Sequence, residues 1–118
     1  MTRTCGQMIV HELLAETVPG YRENRLAAAP VDQISIETAQ AELDVSVLSQ
    51  LSEKTIVLGV IALDSDDVET PEVVAERIRR AQPYTQKIVA APDCGMKYLS
   101  REAAFGKLQS LVAGTKLA

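Results

Sequence analysis

The chain contains very few aromatic residues: three tyrosines, one phenylalanine and no tryptophan in 118 residues. Hydrophobic residues nevertheless make up 47% of the chain, which is enough to bury a core. That core must therefore be built from alanine, valine, leucine and isoleucine rather than around large rings. The length leaves room for one domain of ordinary size.

An excess of positive charge is also missing. The net charge is −4, and the Lys and Arg residues are dispersed among acidic ones. A nucleic-acid-binding protein would normally carry a basic patch, so nucleic acid is excluded as the expected partner. The densest basic group is Arg77, Arg79 and Arg80. It falls on a predicted helix among acidic residues and indicates a solvated helix face.

Long apolar runs are absent as well. No stretch approaches the roughly 20 residues that cross a bilayer. The apolar residues 8–10 are followed at once by His11 and Glu12, which is unlike a secretory signal. The sequence therefore predicts a cytoplasmic protein without a membrane partner.

Cysteine is scarce, because Cys5 and Cys94 are the only two in the chain. Two cysteines in a sequence of this kind point to thiol or metal chemistry rather than to a disulfide framework. They are open to two interpretations: two ligands brought together by the fold, or one reactive thiol and one spare. A plainer alternative is that both are small buried residues.

What the sequence does contain is an alternation of apolar runs with segments of helical spacing. Strands alternating with helices predict βαβ units and a parallel sheet. Three strands leave the sheet edges open, so the pattern indicates a section of a larger α/β structure. The predicted strands are 31–36, 54–63 and 87–91, and the last two are expected to be buried. The predicted helices are 8–16, 22–29, 43–51, 70–82 and 100–113.

The last two helices carry end signals. Thr70 is a predicted N-cap, Pro71 suits the first helical position, and Pro83 stops that helix. Ser100 is predicted to cap the last helix and Gly114 to end it. The apolar stripe expected on that last helix consists of Ala103, Ala104, Leu108, Leu111 and Val112.

Chemistry-bearing residues follow each predicted strand. In parallel α/β folds the groups that act on ligands gather at the carboxyl ends of the strands. Glu37, Asp64, Asp93 and Cys94 are therefore expected to converge on one rim, where a thiolate and a carboxylate can bind Zn²⁺. The alternative is that Glu37 and Asp93 only cap the turns or helices beside them.

Four segments stand out, and the Pro-Asp-Cys-Gly motif at Cys94 is the most specific feature among them. They are VDQISIETAQ (31–40), KTIVLGVI (54–61), VETPEVVAERIR (68–79) and APDCGMKYL (91–99). In this order the segments resemble the C-terminal part of cobalamin-independent methionine synthase and its shorter relatives. The resemblance is good over 31–118 and poor over 1–30, so residues 1–118 are interpreted as one C-terminal segment.

The resemblance implies a fold and an activity. Family members are (β/α)₈ TIM-type barrels with a catalytic zinc at the carboxyl rim. They are 5-methyltetrahydropteroyltriglutamate–homocysteine S-methyltransferases, which move a methyl group from a methylated folate to the homocysteine thiol and so make methionine. This chain would form part of such a barrel, about three parallel strands alternating with helices, and would be incomplete on its own.

The resemblance also assigns site residues. It implies that Glu37 and Cys94 are zinc ligands and that Cys5 is the other cysteine ligand. A histidine that acts in proton transfer in the longer enzymes falls at Asp64, which becomes the candidate catalytic residue.

Three departures from the family pattern stand out. The family's histidine ligand falls at Arg3, which cannot bind a metal ion, so the fourth ligand stays open. His11, the only histidine, lies off the motif and is expected on a solvent-facing helix. Ala62 replaces an aspartate that is common at the end of its strand.

Several readings therefore remain open. A coenzyme M-type thiol alkyltransferase would use the same zinc–thiolate chemistry on another thiol. A non-catalytic interaction module would keep the fold and lose the chemistry. Because the predicted sheet has open edges, either a second chain completes the barrel or the chain self-associates.

Overall fold

The computed structural model describes residues 27–40 and 43–118. Three parallel strands form one sheet in the order β1-β2-β3, and helices separate them along the chain. The predicted α/β class and parallel sheet are thereby confirmed. The strands are β1 (Gln33–Glu37), β2 (Thr55–Ile61) and β3 (Ile88–Pro92). The helices are a 3₁₀ helix (Val45–Leu51), α1 (Pro71–Ala81) and α2 (Arg101–Leu117).

Most of helices 8–16 and 22–29 lies outside the described residues, and only the end of the second, at 27–28, is seen to be helical. No helix in the described part of the chain is long and apolar enough to cross a bilayer.

The core lies between one face of the sheet and the helices. Alternate strand residues point to that face, as the two-residue period of a strand requires. The opposite face, where Ser35, Val57 and Val89 lie side by side, stays partly exposed in the described ranges, and Val89 is 48% exposed. Strand β3 is therefore less buried than predicted. The core includes Ile34, Ile36, Leu48, Leu51, Ile56, Leu58, Val60, Val74 and Ile78.

The segment predicted as a helix over 43–51 is a 3₁₀ helix and not an α-helix. Asp44 caps it by accepting a hydrogen bond from Ser46 N (3.0 Å). The Ser49 hydroxyl donates to the Ser46 carbonyl (2.9 Å). Serine and valine are weak helix formers, and such side-chain bonds compete with the α-helical ladder, which accounts for the tighter, shorter turn.

Helix α1 forms as predicted. Thr70 accepts a hydrogen bond from Val73 N (3.3 Å), and Pro71 occupies the first turn. Arg79 and Arg80 are exposed as expected. The prediction that Arg77 belongs to the solvated face is wrong, because its Nη1 donates a hydrogen bond to the Val60 carbonyl of β2 (2.9 Å).

Helix α2 begins after Ser100, as predicted, but Gly114 does not end it. A Cβ at Gly114 would lie 2.5 Å from the Val74 Cβ and 2.8 Å from the Pro71 carbonyl oxygen. The glycine therefore allows α1 and α2 to approach closely and is not a C-cap.

The predicted apolar stripe of α2 is also wrong in part. Leu108 and Val112 are 42% and 56% exposed. The residues that face inward are short or hydrogen-bonded, because α1 packs so near. They are Ala103, Lys107, Ser110 and Gly114.

Two lysines are buried. Lys54 Nζ donates to the carbonyls of Ala29 (2.8 Å) and Val31 (2.6 Å), which ties the start of β2 to the segment before β1. Lys107 is 1% exposed, and its partners lie at the other end of β2.

Candidate functional site

The three strands end at one edge of the sheet, because all of them run parallel. Glu37 is the last residue of β1, and Asp93 and Cys94 directly follow β3. Cys94 is exposed and carries a free thiol. Asp64 lies exposed in the loop that follows β2. The predicted rim residues therefore all occur at the carboxyl edge.

Asp93 reaches from β3 across β2 to the loop that follows β1. Its carboxylate accepts hydrogen bonds from three consecutive backbone N–H groups, those of Thr38 (3.3 Å), Ala39 (3.1 Å) and Gln40 (2.9 Å). Its own N–H donates to the Ile61 carbonyl (3.0 Å). Asp93 does cap a loop, as the plainer interpretation held, but that loop belongs to a strand two positions away in the sheet.

Gly59 makes this crossing possible. The Asp93 side chain lies directly over it, and a Cβ there would collide with the Asp93 carboxylate and come within 2.9 Å of its Cα. The Gly59 carbonyl accepts hydrogen bonds from the Thr38 N–H (3.2 Å) and hydroxyl (2.7 Å). The loop after β1 is thus held from both β2 and β3.

Asp93 is buried, with 1% of its surface exposed. Burial raises its pKa, while the three N–H donors and the positive charge of Arg77 oppose that rise. The carboxyl group is therefore a built-in acceptor that the fold encloses rather than a solvated charge.

A second carboxylate, Glu69, organises the end of β2. It accepts hydrogen bonds from Ala62 N (2.7 Å), Arg77 Nη1 (2.9 Å) and Lys107 Nζ (2.8 Å). Lys107 Nζ also donates to the Asp67 carbonyl (2.6 Å). The network joins α1, α2 and the loop that carries Asp64.

The pKa of Glu69 reflects two opposing effects. Desolvation raises it, but the hydrogen bonds from Lys107, the Ala62 N–H and Arg77 together outweigh desolvation and hold the pKa below its usual range. Sequence reasoning missed this network. The available signal was Lys107, which sits four residues after Ala103 on the inward side of a helix, where a charge needs a partner.

Further hydrogen bonds tie the rim loops together. The Gln40 side-chain oxygen accepts from Leu63 N (2.9 Å), and Asp66 accepts from Ser100 N (3.3 Å). The segments after all three strands are therefore linked, which gives the rim a defined shape.

Among residues 27–40 and 43–118, no three His, Cys, Asp or Glu side chains come together as a metal site. The rim does offer a thiol at Cys94 and a carboxylate at Glu37, and both donor types suit Zn²⁺. Cys5, the remaining predicted ligand, lies outside the described residues, as do His11 and Arg3. The donor chemistry thus fits part of a zinc ligand set.

The chain is similar in sequence to proteins of a known family. The profile of the family described as "Cobalamin-independent synthase, Catalytic domain" matches residues 7–117. The chain is 33% identical over 90 residues to a methionine synthase from Thermococcus kodakarensis, which covers 74% of this chain and 27% of that protein. It is 35% identical over 99 residues to a methionine synthase from Sulfurisphaera tokodaii, covering 82% and 29%.

A solved structure is similar as well. A B12-independent methionine synthase from Shewanella sp. W3-18-1, in complex with selenomethionine, superposes with a TM-score of 0.78 at 30% identity, over 80% of this chain and 28% of that one. The chain thus spans less than a third of these relatives. Its three strands and their helices are part of a TIM-type barrel, as predicted. This chain belongs to the family of cobalamin-independent synthase catalytic domains.

Proposed function

We propose that this chain carries the zinc-binding edge of a methionine-synthase-type methyltransferase, which transfers a methyl group from a methylated folate to the thiol of homocysteine. One observation carries the proposal. Asp93, the residue before Cys94, is hydrogen-bonded to the loop that begins directly after Glu37. The residue before Cys94 and the residues after Glu37 are thereby hydrogen-bonded to each other.

The proposed ligands are Cys94, Glu37 and Cys5. Catalytic zinc sites keep three protein ligands and an open position for water or substrate. These three residues supply that number even though Arg3 stands where the family has histidine. Bound zinc would lower the pKa of the incoming thiol and so favour its nucleophilic thiolate form.

Asp64 is the proposed proton-transfer residue. It lies exposed in the loop after β2, and the backbone on either side of it is held by Glu69 at Ala62 and by Gln40 at Leu63. A carboxylate there can accept a proton that leaves a thiol at the rim. Substitution to Asn keeps its size and removes that capacity.

Complete activity is proposed to need more than the described strands. The sheet face of Val57 and Val89 stays partly exposed, and the chain covers about 27–29% of its relatives' length. We propose that residues 1–118 form one barrel segment in the cytoplasm. A further polypeptide segment or a second copy would cover this face.

A non-catalytic module is the second candidate. Arg3 stands where the family has a ligating histidine, and Ala62 stands where an aspartate is common, and both departures favour this interpretation. A coenzyme M-type alkyltransferase would share the zinc chemistry and differ only in the acceptor thiol.

Metal content tests the proposal directly. Purified protein is expected to hold close to one zinc per chain by elemental analysis. Cys94→Ser and Glu37→Ala should each lose it. Glu53→Ala, which removes an exposed carboxylate just before β2, is the matched control and should keep it. A folded wild-type sample without zinc would favour the inert module.

A further inference from the structure

The two described ligand candidates belong to strands that are not neighbours. Glu37 ends β1 and Cys94 follows β3, with β2 between them. Adjacent strands lie about 4.8 Å apart, so the two outer strands of this sheet are separated by roughly 10 Å. Side chains from such strands can share one ion only if the segments that carry them are held at a set spacing.

Asp93 spans this gap. Its carboxylate is enclosed, with the residue 1% exposed, and it binds three consecutive N–H groups at 38–40. The first of those residues is bonded covalently to Glu37, and Asp93 itself to Cys94. Each end of the contact is thus one peptide bond from a proposed ligand, and Gly59 leaves the space through which it passes.

We propose that Asp93 is the positioning residue that fixes the spacing of Glu37 and Cys94 so that both bind the same divalent cation. This inference rests on the proposed function, because it takes Glu37 and Cys94 as ligands. Asp93 itself does not bind the ion. Its carboxylate oxygens already accept the three backbone hydrogen bonds.

The chemistry of these contacts requires a carboxylate. Both oxygens of an ionised aspartate are acceptors, so Oδ1 receives Thr38 and Ala39 while Oδ2 receives Gln40. An asparagine would keep one acceptor and turn an amide NH₂ toward another N–H donor. Asp93→Asn therefore loosens the loop after β1 with almost no change in volume.

The experiment compares metal binding by residues 1–118 and by variants of the same chain. Zinc affinity is measured by competition with a chromophoric chelator, at a temperature where circular dichroism shows each variant folded. Asp93→Asn should bind Zn²⁺ about 10- to 100-fold more weakly, the range typical of residues that support metal ligands. Asp32→Asn, an equal charge change at the opposite end of β1, should bind like the wild type.

A spectroscopic measurement separates positioning from stability. With Co²⁺ in place of zinc, the thiolate band should persist in Asp93→Asn while the d–d bands that report tetrahedral geometry weaken.

If Asp93→Asn does not fold, Gln40→Pro removes one donor N–H and leaves the carboxylate in place. It should bind zinc more weakly than Gln40→Ala.

The test variant is Asp93→Asn or, if that does not fold, Gln40→Pro. If the test variant is less stable than the wild type yet has wild-type zinc affinity and the wild-type cobalt spectrum, the positioning role is overturned and the proposed function stands. If the wild type binds no zinc, or binds it independently of Cys94 and Glu37, both proposals are overturned. Selective weakening of binding in the test variant supports the inference.

Discussion

Cys94 and Cys5 are expected to respond differently to substitution. In the proposed ligand assignment the Pro-Asp-Cys-Gly segment keeps the family motif around Cys94, whereas Arg3 takes the position of the histidine beside Cys5. Cys94→Ala should therefore lower zinc affinity by a larger factor than Cys5→Ala. Chelator competition measures both, and equal losses, or a greater loss at Cys5, would contradict the ligand assignment.

The Glu69 carboxylate is expected to make stability depend on pH. Its pKa is held below the ordinary value of 4.5, so its stabilising contribution is present above about pH 4.5 and is lost as pH falls through the lower folded-state value. Glu69→Gln should lower the free energy of unfolding by about 2–3 kcal/mol at pH 7, because Lys107 loses its charged partner.

Urea unfolding at several pH values measures this effect. The difference between wild type and Glu69→Gln should shrink below pH 4.5. Glu76→Gln, on the exposed side of α1, is the control and should change little at any pH. A difference that is constant with pH would show that the charge of Glu69 is not the stabilising factor.

Single residues also mark what the sequence can predict. The placement of Glu37, Asp64 and Cys94 at one edge follows from the predicted parallel direction of the strands, because the carboxyl ends of parallel strands share an edge. The contacts of Asp93 with residues 38–40 do not follow, because they depend on the distance across β2 and on the missing side chain at Gly59. Lys107 donates a hydrogen bond to Glu69, which lies 38 residues earlier in the chain, and no local sequence pattern specifies this contact.

At the scale of the elements, the contact between α1 and α2 predicts a test of Gly114. Alanine is favoured over glycine in a helix by about 1 kcal/mol, yet a Cβ here would meet the Val74 side chain and the Pro71 carbonyl. Gly114→Ala should therefore destabilise the protein by about 1–3 kcal/mol, as overpacking does.

Gly106→Ala on the same helix is the matched control. Its Cβ would lie 3.1 Å from the Val68 Cγ2, and that side chain is 46% exposed and free to shift. Gly106→Ala should therefore be neutral or slightly stabilising. Thermal unfolding distinguishes the two variants, and equal midpoints would mean that the helices can separate without loss.

Helix ends show where local signals suffice. The start of α1 is predictable because Thr70 and Pro71 act within a single turn. The end of α2 is not, since Gly114 serves a neighbouring helix rather than its own terminus. The apolar spacing of 43–51 predicts a helix, but spacing alone does not distinguish an α-helix from a 3₁₀ helix. The hydrogen bond from the Ser49 hydroxyl to the Ser46 carbonyl favours the tighter 3₁₀ form.

At the scale of the whole molecule, the partly exposed sheet face predicts association. Val57 and Val89 lie side by side there, and covering them would remove apolar surface from water. Light scattering should report a species larger than one chain. Val89→Thr should shift the population toward monomer, whereas Val73→Thr, on α1, should not. A compact wild-type monomer would contradict this prediction.

The two enclosed lysines have a practical consequence for following the folded state. Lys54 and Lys107 are 8% and 1% exposed, and both amines are engaged, whereas Lys87, Lys97 and Lys116 face solvent. An acylating reagent should modify the latter three in native protein and reach the former two only after unfolding. Mass spectrometry of the acylated peptides would then give a residue-level footprint of how intact the structure is.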